Sequence, residues 1–125
     1  MTMKDFVAGL NQAQRKIVTD LRTWITEHEG PVKVEMGEMM GSQMLMFKVN
    51  GSCKYGFTHG NYLTFHNWVM YCNPDIREKY ADKLGVPKSR IQKSCINLSP
   101  GDTLNQQAFS GMFKAGAAVP WTELA

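Results

Sequence analysis

The sequence lacks the long apolar run and the disulfide framework that would assign it to a membrane or secreted class. None of its apolar runs approaches the roughly 18 residues of a membrane-spanning helix, and the N-terminal segment has no continuous apolar stretch of the secretory type. Its three cysteines, Cys53, Cys72 and Cys95, form neither a CxxC pair nor a regular framework. These absences predict a cytoplasmic protein with reduced thiols and no membrane association.

Concentrated charge of one sign is also lacking. The chain has 14 Lys and Arg against 11 Asp and Glu, and its net charge is +3. Nucleic-acid binding usually requires a clustered basic surface, whereas Arg77 and Lys79 here alternate with Asp75 and Glu78. We therefore interpret the charges as a dispersed, solvated surface and expect no nucleic-acid partner.

Catalytic and metal-binding motifs are missing as well. The sequence has no GxSxG, HExxH or GxGxxG motif and no zinc-type ligand spacing. Methionines cluster between Met36 and Met46, and we interpret them as packing residues in preference to ligands for Cu(I). We expect no enzyme activity, no resident metal and no cofactor.

The chain does contain a clear succession of structural elements. Asn11 can cap a helix in which apolar residues recur at helical spacing (Ile17, Val18, Leu21, Trp24 and Ile25). Strand-like segments follow, then a helix that starts at Asn73-Pro74, a strand over Arg90 to Leu98, and a closing helix. Strands grouped between terminal helices predict an α+β fold. We expect a twisted, largely antiparallel sheet of about five strands, packed against N- and C-terminal helices, with a short helix after the central hairpins. We assign residues 1–125 to a single domain with a core over about 6–113 and a loosely held tail at 117–125.

Two tight turns predict how side chains are distributed over the sheet. Asn50-Gly51 is a strong signal for a type I′ turn, and His59-Gly60 is expected to form a second two-residue turn. These turns place Met46 opposite Tyr55, Phe57 opposite Tyr62, and Cys53 opposite His66.

Because side chains alternate along a strand, these registers divide the hairpins into two faces. The predicted core face contains Leu45, Phe47, Val49, Leu63 and Phe65. The predicted open face contains Met44, Met46, Cys53, Tyr55, Phe57, Tyr62, Thr64 and His66. A one-residue slip in either turn would reverse the assignment of the strand beyond it.

The open face is the candidate functional surface. An exposed face rich in Met, Tyr and His is suited to a small ligand or a protein partner, and the candidate ligand-binding residues are Met46, Tyr55, Tyr62, His66 and Trp68. Two alternatives remain: a helix or the Trp68–Cys72 segment covers this face as a second small core, or the face is buried in a homodimer. The Cys53–His66 pair is interpreted as neighbours without chemistry, since no oxyanion site accompanies it.

Four segments resemble a bacterial family of small domains of unknown function, the YdhG-like proteins. They are LRTWI (Leu21–Ile25), KYGFTHGNYLTFHNWVMY (Lys54–Tyr71), NPDIREKYADKLG (Asn73–Gly85) and SRIQKSCINL (Ser89–Leu98). The resemblance covers about Phe6 to Phe113 and implies an antiparallel sheet packed on helices. One branch of the family is similar to frataxin and is assigned an intracellular iron-chaperone role, so the resemblance implies iron binding as an alternative function. Glu38 stands where the family usually has proline.

Overall fold

A computed structural model describes residues 1–39, 41–119 and 121. Within these residues the elements are α1 (Met3–Ala8), α2 (Gln12–Glu29), β1 (Lys33–Met39), β2 (Ser42–Val49), β3 (Ser52–His59), β4 (Leu63–Asn67), α3 (Trp68–Cys72), α4 (Pro74–Tyr80), a 3-10 turn (Lys88–Arg90), β5 (Cys95–Leu98) and α5 (Gln106–Ala117). The five strands form one antiparallel sheet in the order β1-β2-β3-β4-β5. The predicted α+β fold, with terminal helices and a short helix after the central strands, is confirmed.

Helix α2 begins where the sequence predicts. The Asn11 side chain accepts a hydrogen bond from the Gln14 amide at 2.9 Å, and the Gln14 side chain accepts one from the Asn11 amide at 3.0 Å. This reciprocal cap satisfies two amide groups that lack partners within the helix. All five apolar residues predicted to share one side of this helix are buried.

The first hairpin has the predicted turn but not the predicted register. Asn50 and Gly51 have φ of 54° and 83°, as a type I′ turn requires. Beyond the Lys48–Cys53 pair, the register shifts and Tyr55 lies opposite Phe47. Lys54 is therefore the extra residue of a β-bulge, which moves Tyr55 and everything after it in β3 to the other face. The predicted Met46–Tyr55 pair is wrong, and Met46 faces Gly56 instead.

The second hairpin is also longer than predicted. His59 pairs with Leu63, so the connection has three residues, Gly60 to Tyr62, instead of two. Phe57 consequently faces Phe65, and the predicted Phe57–Tyr62 and Cys53–His66 pairs are wrong. The bulge and the longer turn offset one another. Thr64 and His66 thus stay on one face and Leu63 and Phe65 on the other, as predicted.

The main core lies between one face of the sheet and helices α2 and α5. The five predicted core residues, Leu45, Phe47, Val49, Leu63 and Phe65, are all buried, and Tyr55 and Phe57 join them. The Tyr55 and Phe65 rings stack at 5.9 Å, and the Phe113 ring of α5 meets both edge-on at 5.3 and 5.9 Å. Aromatic packing of this kind joins the sheet to the C-terminal helix.

The remaining boundaries differ from the sequence predictions in detail. Strand β5 starts at Cys95 and not at Arg90, because Arg90 ends the 3-10 turn and its guanidinium forms two hydrogen bonds to the Asp102 carboxylate, at 2.9 and 2.6 Å. The predicted loose tail, 117–125, includes positions 120 and 122–125, which lie outside the described residues. Trp121 is half-buried and packs against hydrophobic residues of the body.

Candidate binding site

The sheet has a second face, which points away from α2 and α5. We use "second face" for Met44, Met46, Cys53, Gly56, Thr58, Thr64, His66, Cys95 and Asn97, together with Trp68 at the start of α3. One cross-strand row runs over this face from edge to edge, with successive partners Glu35, Met46, Gly56, His66 and Cys95. The second face therefore combines sulfur-containing, polar and aromatic side chains.

Half of the second face is a small apolar cluster. Met44, Met46, Cys53 and Trp68 are buried against one another, apart from the main core. Glycines on neighbouring strands make room for the two thioethers: a Cβ at Gly56 would lie 2.7 Å from Met44 Sδ, and one at Gly37 would lie 2.9 Å from Met46 Sδ. This arrangement supports the interpretation of these methionines as packing residues.

The other half of the second face is polar and half-buried. Thr58 Oγ1 lies 2.9 Å from His66 Nε2, and the Thr64 hydroxyl donates to Asn97 Oδ1 at 2.9 Å. The His66 ring stacks on Trp68 with ring centres 5.9 Å apart. Burial lowers the pKa of His66, because desolvation disfavours the imidazolium form. Burial therefore favours the neutral form of His66, whose ring lies between the polar and apolar halves.

The indole of Trp68 carries an unused donor. Its Nε1 is buried and has no hydrogen-bond partner within the described ranges. An indole N–H that is buried normally finds an acceptor, and leaving one unpaired costs about 1–3 kcal/mol. Because Trp68 is 1% exposed and does not line the cavities at α1, this donor is a local cost of packing the apolar cluster and not a contact offered to a ligand.

The predicted site residues are only partly brought together. Met46, His66 and Trp68 lie on the second face, but Met46 and Trp68 are buried in its apolar cluster, 7% and 1% exposed. This half of the face is therefore the second small core that was the alternative to an open surface. Tyr55 does not, because the bulge at Lys54 turns it into the main core, where it is fully buried. Tyr62 lies in the β3–β4 turn and is 41% exposed.

A cleft of about 460 Å³ adjoins the second face. It lies between α1 and the β3–β4 turn, and Tyr62 and His59 form part of its wall. Thr58 and Thr64 also line this cleft, so the polar half of the second face continues into it. The volume falls within the usual range for sites that bind small molecules.

One polar constellation was not predicted from the sequence. The Lys54 ammonium lies beside the Glu29 carboxylate, and the Tyr55 hydroxyl donates to Glu29 Oε2 at 2.6 Å. Burial and the neighbouring Glu29 charge raise the pKa of Tyr55 well above its usual range. Lys54 and Tyr55 are 25 and 26 residues from Glu29 in the chain, so no local sequence pattern indicates these contacts. All three side chains are buried, which makes this network a structural feature and not a surface for a ligand.

The sheet pairs His66 with a different cysteine from the one predicted. Cys95 is its cross-strand partner in β5, and the Cys95 thiol donates to Gln92 Oε1 at 3.2 Å. Burial raises the pKa of Cys95, which disfavours the thiolate that nucleophilic chemistry needs. Cys95 and His66 are therefore neighbours like the members of a catalytic dyad, but the environment of Cys95 disfavours the thiolate that such a dyad requires.

Across residues 1–39, 41–119 and 121, no group of three or more His, Cys, Asp or Glu side chains is arranged to hold a metal ion. No helix in the same ranges combines the length and the apolar character needed to cross a membrane. Comparisons with protein-family models, curated proteins and solved structures find no match to this chain. The functional interpretation consequently rests on the geometry of the second face and the cleft.

Proposed function

We propose that this protein is a small, non-enzymatic binding module whose ligand site combines the polar half of the second face with the adjoining cleft. The observation that carries the proposal is the position of Thr58 and Thr64, which belong to the second face and also line the cleft. A ligand in the cleft would reach these hydroxyl groups while contacting the exposed ring of Tyr62. Membership of the YdhG-like family would agree with this architecture, but no observation favours its iron-chaperone branch.

The lining favours a flat, polar heterocycle of small size. Tyr62 offers an aromatic surface for stacking, and Gln43 and Asn61 offer amide groups for hydrogen bonds. The Thr58 and Thr64 hydroxyls already bond to His66 and Asn97, and each oxygen keeps a lone pair that can accept from a ligand. Asp5 also lines the cleft, and only its Oδ2 accepts a hydrogen bond from the Thr2 amide, at 2.9 Å, so Oδ1 can accept one from an amino group of a ligand. Recognition therefore combines ring stacking, hydrogen bonds to neutral groups and one accepting carboxylate.

Adenine and nicotinamide are suitable probes for this site. Each is titrated into ¹⁵N-labelled protein, and chemical-shift changes are expected to saturate and to cluster at residues 58–64. Tyr62→Ala is expected to reduce the affinity at least about fivefold, since loss of base stacking is worth about 1–3 kcal/mol by alanine substitution.

Tyr71→Ala is the matched control, because Tyr71 is 48% exposed but lies on α3 and does not line the cleft. It is expected to leave probe binding unchanged. The proposal fails if neither probe produces saturable shifts, or if both tyrosine variants weaken binding equally. Shifts that depend on protein concentration alone would instead indicate self-association through the second face.

A further inference from the structure

A groove separate from the proposed ligand site runs between α1 and α2. Its volume is about 490 Å³, and Met3 and Val7 of α1 line one side. Val18 of α2 and Leu45 of β2 are also part of its lining. Met3 and Val7 are 38% and 37% exposed, although apolar side chains of their size usually gain by burial. The groove is therefore an accessible apolar surface on the side of the helices.

The threonines along α2 increase this apolar character. The Thr23 hydroxyl donates to the Thr19 carbonyl at 3.0 Å, and the Thr26 hydroxyl donates to the Arg22 carbonyl at 2.7 Å. Both hydroxyl groups are thus satisfied by their own helix. What Thr23 and Thr26 add to the groove is mainly their methyl groups.

One cation lies in this apolar lining. Arg22 is exposed, and its guanidinium has no ion pair or hydrogen bond within the described part of the chain. By contrast, Arg15 donates to the Val7 carbonyl and Arg90 pairs with Asp102. A guanidinium matches the geometry of a carboxylate, and Glu27, which also lines the groove, would repel a carboxylate from its own position. The charges therefore favour an anionic group at Arg22.

We propose that this groove binds a free fatty acid, with the alkyl chain between α1 and α2 and the carboxylate on the Arg22 guanidinium. The apolar walls account for the chain, and the available guanidinium accounts for the head group. The binding site is distinct from the second face and does not depend on the function proposed for it.

The test is a calorimetric titration of the full chain with butyrate, octanoate and decanoate, all below their micellar concentrations. Two fully buried methylenes are worth roughly fifteenfold in affinity, so an open groove is expected to give about fourfold between octanoate and decanoate. Butyrate is expected not to bind measurably. Decan-1-ol, which keeps the chain without the charge, is expected to bind about tenfold more weakly than decanoate.

Two variants locate the head group. Arg22→Gln is expected to weaken decanoate binding about tenfold while leaving decan-1-ol unchanged. Arg77→Gln, on α4 and away from the groove, is expected to affect neither ligand. Methyl NMR resonances of Val7, Val18 and Leu45 are expected to shift in both variants at saturation, which shows that the groove itself persists.

Several results would overturn the proposal. They are equal affinity for octanoate and decanoate, equal losses in both arginine variants, or binding confined to anionic phospholipid vesicles with none to monomeric decanoate. If sedimentation showed a dimer and the methyl NMR resonances of Val7 and Val18 were altered by dimerisation, the groove would be assigned to a second copy of the chain instead.

Discussion

Lys54 Nζ lies 2.9 Å from Glu29 Oε1 and 2.7 Å from Glu29 Oε2, and both side chains are only 3% exposed. The Gly116 carbonyl accepts a further hydrogen bond from the same ammonium at 3.1 Å. The network therefore joins the end of α2, the bulge in β3 and the last turn of α5. Since the bulge decides which face Tyr55 occupies, this ion pair lies at the residue that sets the facing of the rest of β3.

Lys54→Met is expected to lower the free energy of unfolding by about 3–5 kcal/mol. The methionine fills a similar volume, but it leaves the Glu29 carboxylate buried without its counter-ion. The double variant Lys54→Met, Glu29→Leu is expected to lose less stability than the sum of the losses in Lys54→Met and in Glu29→Leu. Urea unfolding at neutral pH measures the two single variants and the double variant.

Lys16→Met is the control for these variants. Lys16 pairs with Asp20 on the exposed side of α2, where its side chain is 76% exposed, and removal of such a pair changes stability by about 0.5 kcal/mol or less. If Lys54→Met proved no more costly than Lys16→Met, the buried pair would not contribute to stability as described.

Tyr55 predicts a loss of stability in alkaline solution. Because burial and then the Glu29 charge raise its pKa in the folded state, the folded chain retains a proton that the unfolded chain releases. Stability from this group is thus present below the ordinary tyrosine pKa of about 10 and falls as the pH rises above it. Urea midpoints at pH 8 and at pH 10.5 are expected to show the fall.

Tyr55→Phe tests this assignment. It is expected to reduce the alkaline loss and, at pH 7, to cost about 1–2 kcal/mol, because Glu29 loses a hydrogen-bond donor. Tyr71→Phe, at an exposed position, is expected to keep the alkaline loss of the parent protein. An unchanged pH dependence in Tyr55→Phe would exclude Tyr55 as its source.

Much of the fold follows from local sequence, and the errors have tertiary causes. The Asn11 cap and the Asn50-Gly51 turn involve residues three or fewer positions apart, so their chemistry is visible in the sequence. The bulge is not, because Lys54 is held by Glu29 and Gly116, which are 25 and 62 residues away. A strict alternation of side chains cannot anticipate a contact over that separation.

The candidate site shows the same division. Leu63 and Phe65 are apolar enough to select the core face whatever the turn before them. His66 follows Phe65 in the strand, so its position on the opposite face is predicted correctly. Tyr55 suits either face by its chemistry, and only the bulge decides between them. The cleft was not predicted, since it requires α1 to lie beside the β3–β4 turn, and no pattern in either segment indicates that contact.

Gly56→Ala is expected to destabilise the protein by about 1–3 kcal/mol through overpacking of the second face. The added Cβ would lie 2.7 Å from Met44 Sδ and 3.1 Å from the Leu45 carbonyl oxygen, and the backbone atom cannot move aside. Gly37→Ala is expected to cost less, because its nearest contacts are the flexible end of Met46. Thermal unfolding compares the variants.

Gly60→Ala provides the matched control, since no atom lies within 4 Å of the Cβ it would add and its φ is not positive. It is expected to change stability by less than about 0.5 kcal/mol. Equal unfolding temperatures for Gly56→Ala and Gly60→Ala would contradict the close packing of Met44 over Gly56.

His66 predicts a second pH dependence, at acidic pH. Its pKa is lowered by burial, so the unfolded chain takes up a proton more readily than the folded chain. The stability associated with neutral His66 is present above the ordinary histidine pKa of about 6.5 and is lost as the pH falls below it. Protonation would also alter the hydrogen bond between His66 Nε2 and Thr58 Oγ1. Urea midpoints at pH 7.5 and pH 5 are expected to reveal the loss.

His66→Gln separates this effect from other acid titrations. Glutamine stays neutral at both pH values and places an amide group near the position of Nε2, where it can still bond to Thr58. The difference between the two midpoints is expected to become smaller in His66→Gln. It is expected to stay unchanged in His59→Gln, because His59 is exposed in the β3–β4 turn region. Should both variants retain the full difference, protonation of His66 would not limit acid stability, and the polar half of the second face would tolerate a charge.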